Sequence, residues 1–160
     1  MEQPFEKIER RPLGTEAVRL RAVLDINVFV AAYKTQSPTS PTAELLRRWR
    51  NGEFELLYSE DIRRQIAEKF LEKRVDSLLT EELLVDLVLF GTEIQLTPTD
   101  VKRVISADSD DDVIVACAMV GDATHIVTYD PHFDGLGEYQ GIKIVDGLHF
   151  LYEVRGNTLS

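Results

Sequence analysis

The chain has 160 residues, 18.2 kDa and a single cysteine, a length that suits one domain and buries roughly two-thirds of its unfolded surface. Its formal charge is −10, from 28 acidic against 18 basic residues, which disfavours broad nonspecific attraction to nucleic acid but leaves room for an acidic pocket that works through divalent cations. The longest apolar stretches, such as Leu83 to Phe90, fall well short of the roughly 20 residues that span a bilayer. No charged-then-apolar leader opens the chain, and a soluble, cytoplasmic protein is expected. Cys117 sits among Ile114, Val115, Ala116, Ala118 and Met119, as a packed small residue does, with no basic neighbour to activate its thiol.

Residues 1–18 mix charge with Pro and Gly without a sustained period and read as a tail or an embracing arm. The single domain is expected over residues 19–155, with a short C-terminal tail at 156–160. Arg21 to Asn27 reads as a buried strand and Val28 to Lys34 as helical, which places Asp25 and Asn27 where a strand gives way to a helix. After the Ser/Thr/Pro loop at 35–42, Ser40-Pro41 starts a helix through Leu45, Leu46 and Trp49 to a stop at Asn51-Gly52. Phe54 to Tyr58 is a second strand. Ser59 then opens a helix whose Ile62, Ile66 and Phe70 repeat every four residues.

Thr80-Glu81-Glu82 opens an apolar helix that Gly91 stops, and Glu93 to Leu96 reads as a third strand. Ser109 can cap a helix from Asp110 to about Val120, with Asp112 three residues on as in a capping box. His125 to Thr128 and Ile142 to Val145 are the fourth and fifth strands, and Gly147 to Tyr152 is a last helix. Strands alternating with helices predict an α/β fold: three layers, α/β/α, around a mostly parallel sheet of roughly five strands. There is no internal repeat and no long low-complexity tract.

Three acidic points stand out: Asp25 after Ala22-Val23-Leu24, the cluster Asp108-Ser109-Asp110-Asp111-Asp112, and Asp130 after Ile126-Val127-Thr128-Tyr129. A carboxylate at the edge of a buried run costs free energy unless it is paired or coordinated. In a parallel sheet with right-handed crossovers, residues after different strands converge on one edge. Asp111, in the first turn of the helix that enters the strand before Asp130, comes from that same edge. An all-oxygen ligand set selects hard ions, so Mg²⁺ or Mn²⁺ is the expected cofactor. The three histidines, His125, His132 and His149, form no zinc spacing.

The segments RAVLDINVFVAAY, FELLYSEDI, DSDDDVIVACAMVGDATHIVTYDPHF and GIKIVDGLHFL resemble the PIN domain superfamily, and within it the VapC-like toxin branch, over about Arg21 to Tyr152. The resemblance implies a metal-dependent endoribonuclease that leaves 5′-phosphate and 3′-hydroxyl ends. Asp25 matches the family's first acid, Asp111 the third and Asp130 the fourth. Asp108 matches the leading Asp of the D-x-x-D pair, and Asn27 and Thr128 match polar residues that support the acids. A toxin of this branch implies RNA as substrate, a small antitoxin whose helix or tail fills the acid pocket, and a homodimer.

Two positions depart from the pattern. Gln65 stands six residues after Ser59, where the family has its second acid, and Ile26 stands where a Thr is usual. Gln orients a water or phosphate but is a poor substitute for an anionic ligand. Glu68, three residues on, shares the helix face and reaches the site only if the helix is shifted by about one turn.

Other roles fit several of these residues. Asp25 also suits a helix cap, and Ser59 is a helix N-cap first and a site residue second. Ser109, Asp110 and Asp112 suit capping and the helix dipole, Asp130 suits the Asp-Pro turn, and His132 either contacts phosphate or sits on a surface turn. Trp49 and Phe70 belong on apolar helix faces. Arg47, Arg48, Arg50, Arg63, Arg64, Lys69, Lys73 and Arg74 put most of the basic charge on two helices, as solvated faces or as a cationic rim. The alternative to a nuclease is a degenerate PIN domain that binds RNA or protein without turnover, a reading that Gln65 motivates. An aspartyl-phosphate phosphatase of the haloacid dehalogenase class needs a second Asp where the chain has Asn27. A receiver domain needs an Asp closing a middle strand, and the second strand here ends in Ser59.

Overall fold

The structure, a computed structural model, describes residues 19–101, 109–130 and 137–159, without the side chains at 109–110 and 158–159. Six strands form one sheet in the order β3-β2-β1-β4-β6-β5: β1 Arg21–Leu24, β2 Glu55–Tyr58, β3 Thr92–Glu93, β4 His125–Val127, β5 Glu138–Tyr139 and β6 Ile142–Val145. All neighbours are parallel except β5, which runs antiparallel to β6. Helices α1 Ile26–Lys34, α2 Pro41–Arg50, α3 Glu60–Glu72, α4 Ser77–Phe90, α5 Ser109–Val120 and α6 Gly147–Leu159 flank the sheet in the expected three-layer α/β/α arrangement.

The sequence explains why β1 is central. Ala22, Val23 and Leu24 are all but fully buried, as a strand covered on both faces requires. β2 pairs with one edge of β1 and β4 with the other. The chain therefore winds outward in both directions from the β1–β4 seam, and such a topological switch point opens a crevice beyond the carboxyl ends of its strands. Trp49, Phe29, Phe54, Phe70 and Phe150 fill the layers on either side, each burial stabilising by about 1.5–3 kcal/mol. Cys117 is buried in this core, which pushes its thiol pKa up to about 12, as suits a packing residue.

Element edges differ from the sequence expectations for local reasons. β1 stops at Leu24 because Asp25 caps α1, its Oδ1 accepting from the Ile26 N–H at 2.7 Å, so Asn27 is helical. α4 starts at Ser77 because Asp76 accepts from the Leu78 N–H at 2.8 Å, one turn before Thr80. The third strand is the short Thr92–Glu93 rather than Glu93 to Leu96, and β5 is too short to show alternation in sequence. α6 continues past Tyr152 to Leu159.

The basic helices are largely neutralised within the fold. Arg48 binds Glu44 at 2.8 Å and Glu53 at 2.5 Å, and Arg50 binds Asp86 at 2.7 Å and the Tyr33 hydroxyl at 2.7 Å. Arg155 of α6 donates two hydrogen bonds to Glu44 of α2, at 2.7 and 3.0 Å. These guanidinium donors hold the Glu44 carboxyl at about 2. A carboxyl depressed on folding contributes stability that is present above its unfolded value near 4.5 and is lost as pH falls toward about 2. Glu44→Gln is expected to cost about 1–2 kcal/mol at neutral pH and to lose that deficit relative to the parent over this acid window. Chemical denaturation of both proteins as a function of pH checks it; a deficit that persists unchanged at pH 2 contradicts the assignment.

Candidate metal and nuclease site

Beyond the β1–β4 seam lies a cavity of about 230 Å³ lined by Asp25, Ile26, Asn27, Gln65, Glu68, Lys69, Glu72, Asp111 and Asp130. Asp25 leaves the end of β1, Asp130 follows β4, and Asp111 stands in the first turn of α5. Each of the three offers a carboxylate oxygen within 4.8 Å of the others. Asp25 and Asp111 are only 5% and 3% exposed, so the charges converge where solvent screens them poorly.

Thr128 ties two of these acids together. Its hydroxyl donates to Asp25 Oδ2 at 2.7 Å and accepts from the Asp130 backbone N–H at 2.9 Å. The Asp25 N–H in turn donates to the Val127 carbonyl at 2.9 Å, which locks the β1 and β4 ends in register. Both Asp25 oxygens therefore accept from a protein donor, which holds the carboxylate in a fixed direction.

The acid trio fits a small hard cation. Three carboxylate oxygens within 4.8 Å of one another would need only small side-chain adjustments to meet one ion at about 2.1 Å. The donor set is all oxygen, and no His or Cys lines the cavity among the described residues. His125 is instead buried in β4 against Thr124 and Glu153, where desolvation lowers its pKa, and His149 pairs with Asp146.

The remaining candidates divide by position. Gln65 is buried, at 9% exposed, and faces the cavity. Glu68 lines the wall without any shift of α3, but its side chain is 71% exposed and lies nearest Arg64, at 3.9 Å, and it is not part of the clustered trio. Asn27 lines the mouth and is exposed. Ser59 is buried and caps α3, accepting from the Ile62 N–H at 3.3 Å, and it does not line the cavity. Asp112 is buried but likewise outside the lining. Asp108 and His132 lie outside the described residues. Lys69 and Glu72 were not singled out from sequence as wall residues; their spacing of four and seven from Gln65 on one helix is the signal that places them there.

Comparison with known proteins gives the family and supports the fold. Residues 21–132 match the sequence profile of the PIN domain family. Among solved structures, the crystal structure of PAE2754 from Pyrobaculum aerophilum superposes with a TM-score of 0.60 at 14% identity, over 86% of this chain and 90% of that one. No curated protein matches the chain.

Proposed function

This chain belongs to the PIN domain family, whose members are generally nucleases, and we propose that it is a metal-dependent endoribonuclease. In that reading Asp25, Asp111 and Asp130 hold Mg²⁺ or Mn²⁺ and form the catalytic set. The observation that carries it is the convergence of three carboxylates from separate elements at the sheet's switch point, within 4.8 Å of one another. A divalent ion held by these acids would supply a water of lowered pKa and neutralise charge on the phosphodiester and its leaving oxygen.

The chain's own residues set the rest. Thr128 aims Asp25 and fixes the Asp130 backbone, so the two acids keep their relative direction. Gln65, amide rather than acid, contributes a hydrogen bond toward a water or phosphate oxygen. Asn27 at the mouth offers a further polar contact.

The toxin role, with a small antitoxin, a homodimer and a cytoplasmic setting, extends the same proposal. What supports a protein partner is the outer surface of α4 and the end of α3, where Leu71, Leu78, Val85, Val88, Leu89 and Phe90 are all exposed. Large apolar side chains grouped in this way are usually covered by another protein surface. No helix among the described residues is long and apolar enough to cross a membrane.

Single-stranded RNA incubated with the protein in Mn²⁺ is expected to be cut to 5′-phosphate fragments, with chelator or Asp111→Asn abolishing the cut. A product that survives Asp111→Asn counts against the site. The second reading, a PIN domain that binds without turnover, is favoured by Gln65 occupying the second-acid position in the cavity wall. It predicts RNA binding with no metal-dependent product.

A further inference from the structure

We propose that Lys69 is a substrate-phosphate contact in the cavity wall, an inference that rests on the nuclease reading above. Gln65, Lys69 and Glu72 recur at four- and three-residue steps along α3 and all line the cavity. The described lining carries five carboxylates and one ammonium, Lys69. A lysine in the wall of a pocket whose sole ligand is a cation would weaken that ligand's binding. The same lysine strengthens a ligand that is itself anionic and shares the pocket with the cation, as a phosphodiester does.

Lys69 Nζ is held 2.9 Å from Glu72 Oε1, with side chains 40% and 65% exposed. An ion pair at that exposure is worth no more than about a five-fold factor in an equilibrium. A phosphodiester, a monoanion that a cation in the same pocket would draw in, can exchange for Glu72 among the contacts of Lys69, and a side-chain rotation would bring the ammonium toward it. The two α3 residues then act together. Gln65 removes one negative charge from the place where a substrate phosphate approaches, and Lys69 adds a positive one a helical turn away. With the charge of the wall lowered in this way, a bound cation would lean more on the RNA phosphate and less on the protein carboxylates, and the binding of cation and substrate would be mutually dependent.

The test measures binding of a short fluorescein-labelled single-stranded RNA to the full chain, in Ca²⁺ and again in chelator, alongside Mn²⁺ uptake without RNA. Lys69→Met is expected to weaken RNA binding about tenfold in Ca²⁺ and to flatten the slope of log affinity against log salt by about 0.7, one phosphate contact on a single strand. Lys69→Arg is expected to keep affinity within about three-fold of wild type. Glu72→Gln is expected to tighten RNA binding by up to about five-fold, and Mn²⁺ uptake without RNA is expected not to fall in Lys69→Met. Wild-type RNA affinity and salt slope in a folded Lys69→Met, with Mn²⁺ still taken up through Asp25, overturn the Lys69 assignment alone. A wild type that binds neither Mn²⁺ nor RNA overturns the nuclease reading and this inference with it.

Discussion

Asp25→Asn is expected to lower metal-dependent RNA cleavage by a factor on the order of 10³ or more while leaving the fold in place. The carboxylate is buried, at 5% exposed, and it sits at the meeting point of β1, α1 and the Thr128 hydroxyl. Residues that merely orient metal ligands cost about 10–100-fold when removed. A carboxylate in the trio itself, whose charge balances the cation directly, costs more. The amide keeps the oxygen that accepts from the Ile26 N–H and so preserves the cap on α1. Thr128→Val sets the contrast: it deletes the bridge between Asp25 and Asp130 without removing a carboxylate, and about a 10–100-fold loss is expected. Initial rates at saturating Mn²⁺, with thermal midpoints recorded for each variant, check both. Equal losses in the two variants would mean that Asp25 acts only by fixing the local backbone.

Gln65→Glu is expected to raise Mn²⁺ affinity by about ten- to a hundredfold. Gln65 already faces the cavity and is buried, so the substitution places a carboxylate in the wall without moving α3. Affinity for hard cations rises with the charge count of the ligand set, and the substitution would add a fourth acid to the trio. Glu68 does not supply that charge, because its side chain is largely in solvent and turned toward Arg64. Titration of both proteins with Mn²⁺ decides it. An unchanged affinity would mean that position 65 is too far from the ion to matter, and the missing acid would then not be a handicap. If the Lys69 assignment also holds, Gln65→Glu should tighten metal and loosen RNA, since the added charge repels the phosphate that Lys69 attracts.

The site's frame was legible because it depends on strand ends. Asp25 and Asp130 each follow a short apolar run, and a parallel sheet carries such residues to one edge whatever their separation in sequence. The order of strands was not legible. That β1 and β4 are direct neighbours, so that Thr128 can bridge their acids, follows from pairing between residues about a hundred positions apart. The short strands are illegible for want of length: a two-residue strand such as β3 or β5 has no alternation to read, and tertiary pairing alone creates it. At the start of α4, Thr80-Glu81-Glu82 has the pattern of a helix opening, whereas Asp76 caps the helix a turn earlier. The basic residues of α2 and α3 illustrate a different limit. Composition along a helix shows where the charges are, but not that Glu53 and Asp86 fold against Arg48 and Arg50 of α2, while Arg63, Arg64 and Lys69 of α3 pair with acids of their own helix.

The proposed function requires that Asp25, Asp111 and Asp130 together hold a divalent ion. Crystals soaked in Mn²⁺, with data collected at the manganese absorption edge, test it directly. An anomalous peak lying between the three carboxylates, absent from Asp25→Asn crystals treated alike, is the predicted result; an empty cavity at high Mn²⁺ in well-ordered wild-type crystals would contradict it.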